Sequence, residues 1–208
     1  MFFTKKEKTD LNSLRGAFIS QKKTLIEKNY PALLNMSPEN FNDALNALWK
    51  LVEEKSKNLE NRVWGNIPLL IVVTKGDVNE KIIKASGHSE LDFKNIFPKT
   101  NPGDFYVILD VEDGKKMVAK SAENALKKFK KSNRFALNLN ESIALLTHYP
   151  KILADHYFIS AGSSYSKDDQ NQPLLWLLDE NHNPELHYAW FDIAHGSYGA
   201  GSYLIKIQ

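Results

Sequence analysis

Two carboxylates carry the clearest chemical possibility in the chain. Asp77 follows the apolar run Ile67–Thr74, and Asp110 lies at the end of a second run, Phe105–Val111. If these runs form parallel neighbouring strands, both carboxylates stand at one sheet edge, where open α/β sheets usually bind ligands. With Glu112 or Asp113 nearby, they could hold Mg²⁺ for phosphoryl chemistry, because Mg²⁺ takes carboxylate oxygens and neutralises phosphate charge. Asp at a strand end equally serves turns and helix caps, so spacing leaves both roles open.

A second candidate lies near the C-terminus, in His195-Gly-Ser-Tyr-Gly-Ala-Gly-Ser202. Glycine permits close backbone approach. A phosphate cradle would need a helix N-terminus behind the loop, whereas Tyr203–Ile207 reads as a strand. The segment is therefore expected to be a glycine-rich hairpin or bulge, with His195, Gly196, Ser197, Gly199 and Gly201 as candidate ligand contacts. Aromatic residues concentrate just before it, including Trp176, Tyr188, Trp190 and Phe191. They fit core or cross-strand pairs. Trp176 and Trp190 would mark a binding surface if they face outward across a hairpin.

Other constellations are weaker. His182, His187, Asp192 and His195 could be grouped as metal ligands, yet strand parity sets Asp192 opposite His187 and His195, and no His-Glu-x-x-His is present. Serines are plentiful, but none stands in Gly-x-Ser-x-Gly. Lys127, Lys128, Lys130, Lys131 and Arg134 cluster where a helix should end, which favours cations on dipole grounds alone. The Thr-Lys-Gly-Asp at Thr74–Asp77 resembles the guanine-reading tetrad of GTPases. Only Gly16 and Gly65 precede Thr74, and neither begins a Gly-x-x-x-x-Gly-Lys-Ser/Thr phosphate loop. The simpler role of Gly76-Asp77 is a turn out of a buried strand.

The elements that must position these residues are legible in part. Leu11, Leu14, Phe18 and Leu25 recur at helical spacing behind Asp10, a plausible N-cap. Ser37-Pro38-Glu39 starts a second helix, with Phe41, Leu45, Leu48 and Val52 as its inner stripe. Ile67–Thr74 is continuously apolar and β-branched, as a strand covered on both faces should be. A short helix is expected over Asn79–Ala85, and another carries Ala119, Ala122, Leu126 and Phe129. Asn138 with Glu141 forms a capping box that opens a further helix, interrupted near Pro150. Strand-like runs follow at Tyr157–Ala161, Leu174–Leu178, Leu186–Phe191 and Tyr203–Ile207.

The reading is one α+β domain over residues 1–208. It has a helical part (1–64), a βαβ-like α/β centre (65–155) and a C-terminal antiparallel meander (156–208), arranged around one mixed sheet. Composition bounds the function. The net charge of +2 singles out no polyanionic partner, so nucleic acid is not expected. No cysteine is present, which excludes disulfides and thiolate chemistry and fits a reducing compartment. No apolar run approaches the ~20 residues of a membrane span, and MFFTKKEKTD lacks the order of a secretory signal. A cytoplasmic location is expected.

Several segments in order resemble one family. They are the strand and Gly-Asp-Val at Leu69–Val78, DFYVILDVEDG (Asp104–Gly114) and RFALNLNESIALLTHYPKIL (Arg134–Leu153). PLLW (Pro173–Trp176) and the aromatic lead into Gly196–Ser202 follow. Together they resemble a prokaryotic family of about two hundred residues, classed only as a domain of unknown function. The resemblance implies a self-contained bacterial domain. It brings no activity, cofactor or catalytic residue. The expectation is a domain that binds a small molecule or a protein through its C-terminal aromatic and glycine-rich region. The alternatives are a metal-dependent enzyme acting on a phosphorylated or nucleotide substrate, with Asp77 and Asp110 as ligands, and a protein-interaction module.

Overall fold

The computed structural model describes residues 10–57, 59, 65–76, 78–84, 88–89, 97–98, 105–164, 170–177 and 184–208. The chain opens with helices α1 (Leu11–Glu27), α2 (Tyr30–Leu33) and α3 (Pro38–Ser56). Strand β1 (Ile67–Val73), helix α4 (Val78–Lys84) and the short β2 (His88–Ser89) and β3 (Phe97–Pro98) come next. They are followed by β4 (Phe105–Val111), a 3₁₀ turn (Lys115–Met117), α5 (Ala122–Lys131) and β5 (Phe135–Ala136). Helices α6 (Leu139–His148) and α7 (Ile152–Asp155) then lead to β6 (Tyr157–Ile159), β7 (Ser163–Ser164), β8 (Asn171–Leu177) and β9 (Pro184–Trp190). The chain closes with β10 (Tyr198–Ala200), β11 (Ser202–Tyr203) and β12 (Ile205–Ile207).

The fold is α+β, with helices first and a mixed sheet among its several sheets. Local chemistry sets the helix starts. Asp10 accepts from Ser13 N at 2.7 Å, and Ser37 accepts from Asn40 N at 3.1 Å ahead of Pro38; such caps contribute about 1 kcal/mol each. At α6 the capping box is complete: Asn138 Oδ1 accepts from Glu141 N, and Glu141 Oε2 accepts from Asn138 N at 2.7 Å.

Among the described residues, one sheet has the order β1-β4-β12 and a second β10-β6-β8-β9-β2, while β11 with β5 and β3 with β7 form two-stranded sheets. Leu69, Ile71 and Val73 face Leu14, Phe18, Phe41 and Leu45 of α1 and α3. Leu70, Val72 and Ile108 face the opposite way, onto Ile143 and Leu146 of α6. Phe158, Leu175 and Leu186 of the second sheet join that same cluster. Helix α6 is thus enclosed, and Leu139 and Glu141–Thr147 are all buried. An apolar circumference is what a helix between two sheets requires. On the far face of the second sheet, Ala122, Ala125 and Phe129 of α5 pack on Ile159, Leu174 and Ala189.

Two expectations are corrected. Strand, helix and strand do follow in order at the centre, but β1 and β4 pair antiparallel, Ile67 against Val111 and Val73 against Phe105. The two strands therefore form no parallel βαβ unit. Nor do the strands form one sheet: they divide among several, and strands of the centre and of the C-terminal part mix within them. The last strand, β12, leaves the meander and pairs with β4, while β10 runs parallel to β6.

β1 is an edge strand, and a side chain closes its edge. The buried Gln21 amide donates to Leu69 O at 2.7 Å and accepts from Ile71 N at 2.8 Å, as a neighbouring strand would. Covering an edge removes a template for intermolecular pairing. At the end of β1, Lys81 is 1% exposed and donates to Thr74 O (3.0 Å), Val73 O (3.3 Å) and Asn140 Oδ1 (2.6 Å). The strand exit at Thr74 is thus built around carbonyls that satisfy a buried ammonium.

Candidate functional site

The antiparallel register removes the strand arrangement that the carboxylate pair assumed. Asp110 lies beside the beginning of β1, next to the Ile67–Val111 pair, whereas Asp77 follows the opposite end of β1. The common sheet edge that the pair required does not form. Asp77 itself lies outside the described residues. Asp110 is held by other groups. Its Oδ1 accepts from Gly65 N at 2.7 Å and from Arg134 Nη1 at 2.9 Å. Its backbone has a positive φ of 57°, which Asp tolerates better than most residues. Among the described residues, no group of three or more His, Asp or Glu is placed to hold a metal.

Arg134 is the hub of this corner, just beyond the end of α5. Nε donates to Ser202 Oγ at 2.8 Å, Nη2 donates to Asp110 O, and Nη2 also reaches Ser202 O at 3.3 Å. The guanidinium so joins β4 to β11. A planar fork suits this many fixed acceptors, and an ammonium would not.

Beside Arg134 opens a cavity of about 150 Å³. Met117 and Phe129 form much of its apolar wall, with Ala200 and Ser202 from the glycine-rich segment at one side. All four residues are buried. Lys116, Lys128 and Glu112 also line it, and Lys116 Nζ meets Glu112 Oε1 at 2.6 Å.

The predicted contacts separate. Gly199 and Gly201 are buried because other atoms sit where their side chains would be. A Cβ on Gly199 would lie 2.6 Å from His156 Cδ2 and 2.7 Å from Gly114 O. On Gly201 it would lie 2.6 Å from Phe158 Cζ and 2.8 Å from Glu112 O. Gly196 faces open space. His195 is exposed and stacks on Tyr198 at 4.3 Å, and its Nδ1 accepts from Ser197 N at 3.3 Å. The Ser197 carbonyl accepts from Tyr157 N at 2.8 Å, docking the segment onto β6.

Trp190 is 49% exposed and Tyr188 46%, in a T-shaped contact at 6.5 Å. Tyr157 and Tyr198 instead pack at the edge of the α5 cluster. The aromatic region is therefore two surfaces. Trp176 lies on β8 opposite Glu185; its side chain is outside the described residues, as is His182.

Sequence reading saw Glu141 as a cap and missed its second role. Its Oε1 accepts from Tyr106 OH at 2.8 Å, and Lys206 Nζ lies 3.8 Å from the Tyr106 ring centre. Burial pushes the Glu141 carboxyl up to about 7, against the lowering effect of its hydrogen bonds and of Lys206. Burial, then Glu141, also raises the Tyr106 and Tyr203 phenols. His148 is the opposite case. Burial holds its imidazole down to about 3, and neither ring nitrogen makes a hydrogen bond of normal geometry among the described residues. No sequence pattern marks these partners, since they meet across elements far apart in the chain.

Among the described residues, no helix is long and apolar enough to cross a membrane. No curated protein and no solved structure matches the chain. The model of the family of unknown function DUF5701 does match, over residues 24–206, and the chain belongs to that family.

Proposed function

We propose that this protein is a bacterial cytoplasmic binding domain whose site is the cavity beside the glycine-rich segment. The observation that carries the reading is the cavity's placement: about 150 Å³, walled by Met117, Phe129 and Ala200 and bordered by Arg134 and Ser202. An apolar hollow with a few convergent polar groups is the general form of a small-molecule site. Gly199 and Gly201 serve it indirectly, by letting the backbone on either side of Ala200 pass close to neighbouring chain. The exposed pair Tyr188 and Trp190 favours a second reading, a protein-interaction surface, because such aromatics anchor interfaces. No reaction is assigned.

The test uses the three methionines, Met1, Met36 and Met117, labelled with ¹³C in their methyl groups. A library of compounds of roughly ten non-hydrogen atoms or fewer, the size such a hollow admits, is screened by methyl spectra. Ligands should shift Met117 and leave Met36 in place. A screen whose hits never touch Met117 overturns the reading.

A further inference from the structure

We infer that the cavity takes a small monocarboxylate with a benzene-sized apolar body. This rests on the binding reading above and adds the ligand's chemical class. Size comes first. A dry apolar cavity of about 150 Å³ accommodates benzene, and this cavity has that volume. Its buried wall of Met117, Phe129 and Ala200 suits a flat or branched hydrocarbon.

Charge and hydrogen bonding supply the carboxylate. Arginine carries five N–H donors. Asp110 and Ser202 take four of them through Nε, Nη1 and Nη2. The second N–H of Nη1 has no acceptor among the described residues. Ser202 is 1% exposed, and its hydroxyl oxygen accepts from Arg134 Nε. The hydroxyl proton likewise has no acceptor among the described residues. Both residues line the hollow, and an unused donor on either can meet a carboxylate oxygen there.

The charge count agrees. Lys116, Lys128 and Arg134 stand against Glu112 at the wall and Asp110 behind Arg134. Three cations and two carboxylates leave one positive charge. A monoanion neutralises it, and a phosphate dianion would reverse it. Lys128 is exposed in the last turn of α5 and makes no ion pair among the described residues, so it can turn toward the ligand.

The experiment titrates the methyl-labelled protein with benzoate, with benzamide as the neutral match in shape, and with inorganic phosphate. Benzoate should shift Met117, with benzamide at least about tenfold weaker, the worth of one charge-assisted hydrogen bond. Lys128→Glu should weaken benzoate about fivefold at low salt, leave benzamide unchanged and keep the Met36 signal, which reports an intact fold. Equal affinity for benzoate and benzamide overturns the carboxylate assignment while leaving the binding site. Phosphate binding as tightly as benzoate overturns it too, since charge alone would then suffice. If neither benzoate nor benzamide moves Met117, the monocarboxylate inference falls, and the library screen above decides the binding reading separately.

Discussion

Replacing Glu141 by Gln should change how stability depends on pH. The carboxyl ordinarily titrates near 4.5 and is pushed up to about 7 by burial. A raised acid binds its proton more tightly when folded. Its stabilisation is complete below about pH 4.5 and is lost as pH rises through about 7. At about 1.4 kcal/mol per pH unit, the loss is about 3 kcal/mol for a group 1% exposed. Gln can keep both contacts, because its carbonyl accepts from Asn138 N and its amide donates to Tyr106 oxygen. Gln also serves at this capping-box position. Urea unfolding of both proteins from about pH 4.5 to about pH 8.5 isolates the effect, since all other titrations cancel in the difference. The Gln variant should gain about 3 kcal/mol relative to the parent across that range. A difference flat to within about 0.5 kcal/mol, below what one strongly shifted group must produce, would refute the reasoning.

Three further outcomes follow from the geometry. His148, held down to about 3, gives stability that is present above pH 6.5 and lost as pH falls, by about 3 kcal/mol at about pH 4.5; His148→Leu should flatten this acid limb in the same titration. Gln21→Ala should cost about 1–3 kcal/mol and speed amide exchange at Ile71, whose N–H loses its acceptor; unchanged exchange would contradict the edge cover. Gly199→Ala and Gly201→Ala should each cost about 1–3 kcal/mol through overpacking, whereas Gly196→Ala, with open space around it, should leave the melting temperature unchanged.

Much of the local structure was legible because it is written in neighbouring residues. Ser37-Pro38-Glu39 starts α3, and Asn138 with Glu141 starts α6. The unbroken apolar run of β1 announced a strand covered on both faces, and cluster membership on its two sides bears this out. The glycines at 199 and 201 signalled close backbone approach. What they approach is Gly114, Glu112, His156 and Phe158.

Pairing direction was not legible. An apolar run reads the same for a parallel or an antiparallel neighbour, and the antiparallel pairing of β4 with both β1 and β12 is visible only in the tertiary structure. The parallel neighbours that the candidate carboxylate pair assumed do not form. Arg134 illustrates the same limit. Its place near a helix end suggested a dipole partner, yet its acceptors lie 24 and 68 residues away, on Asp110 and Ser202. Thus the amino-acid sequence alone determined where helices and strands begin, which faces are apolar and which chemistries lack their residues. The tertiary structure decided which polar groups meet, because a hydrogen bond needs approach within about 3 Å, and no spacing along a chain specifies distance across a core.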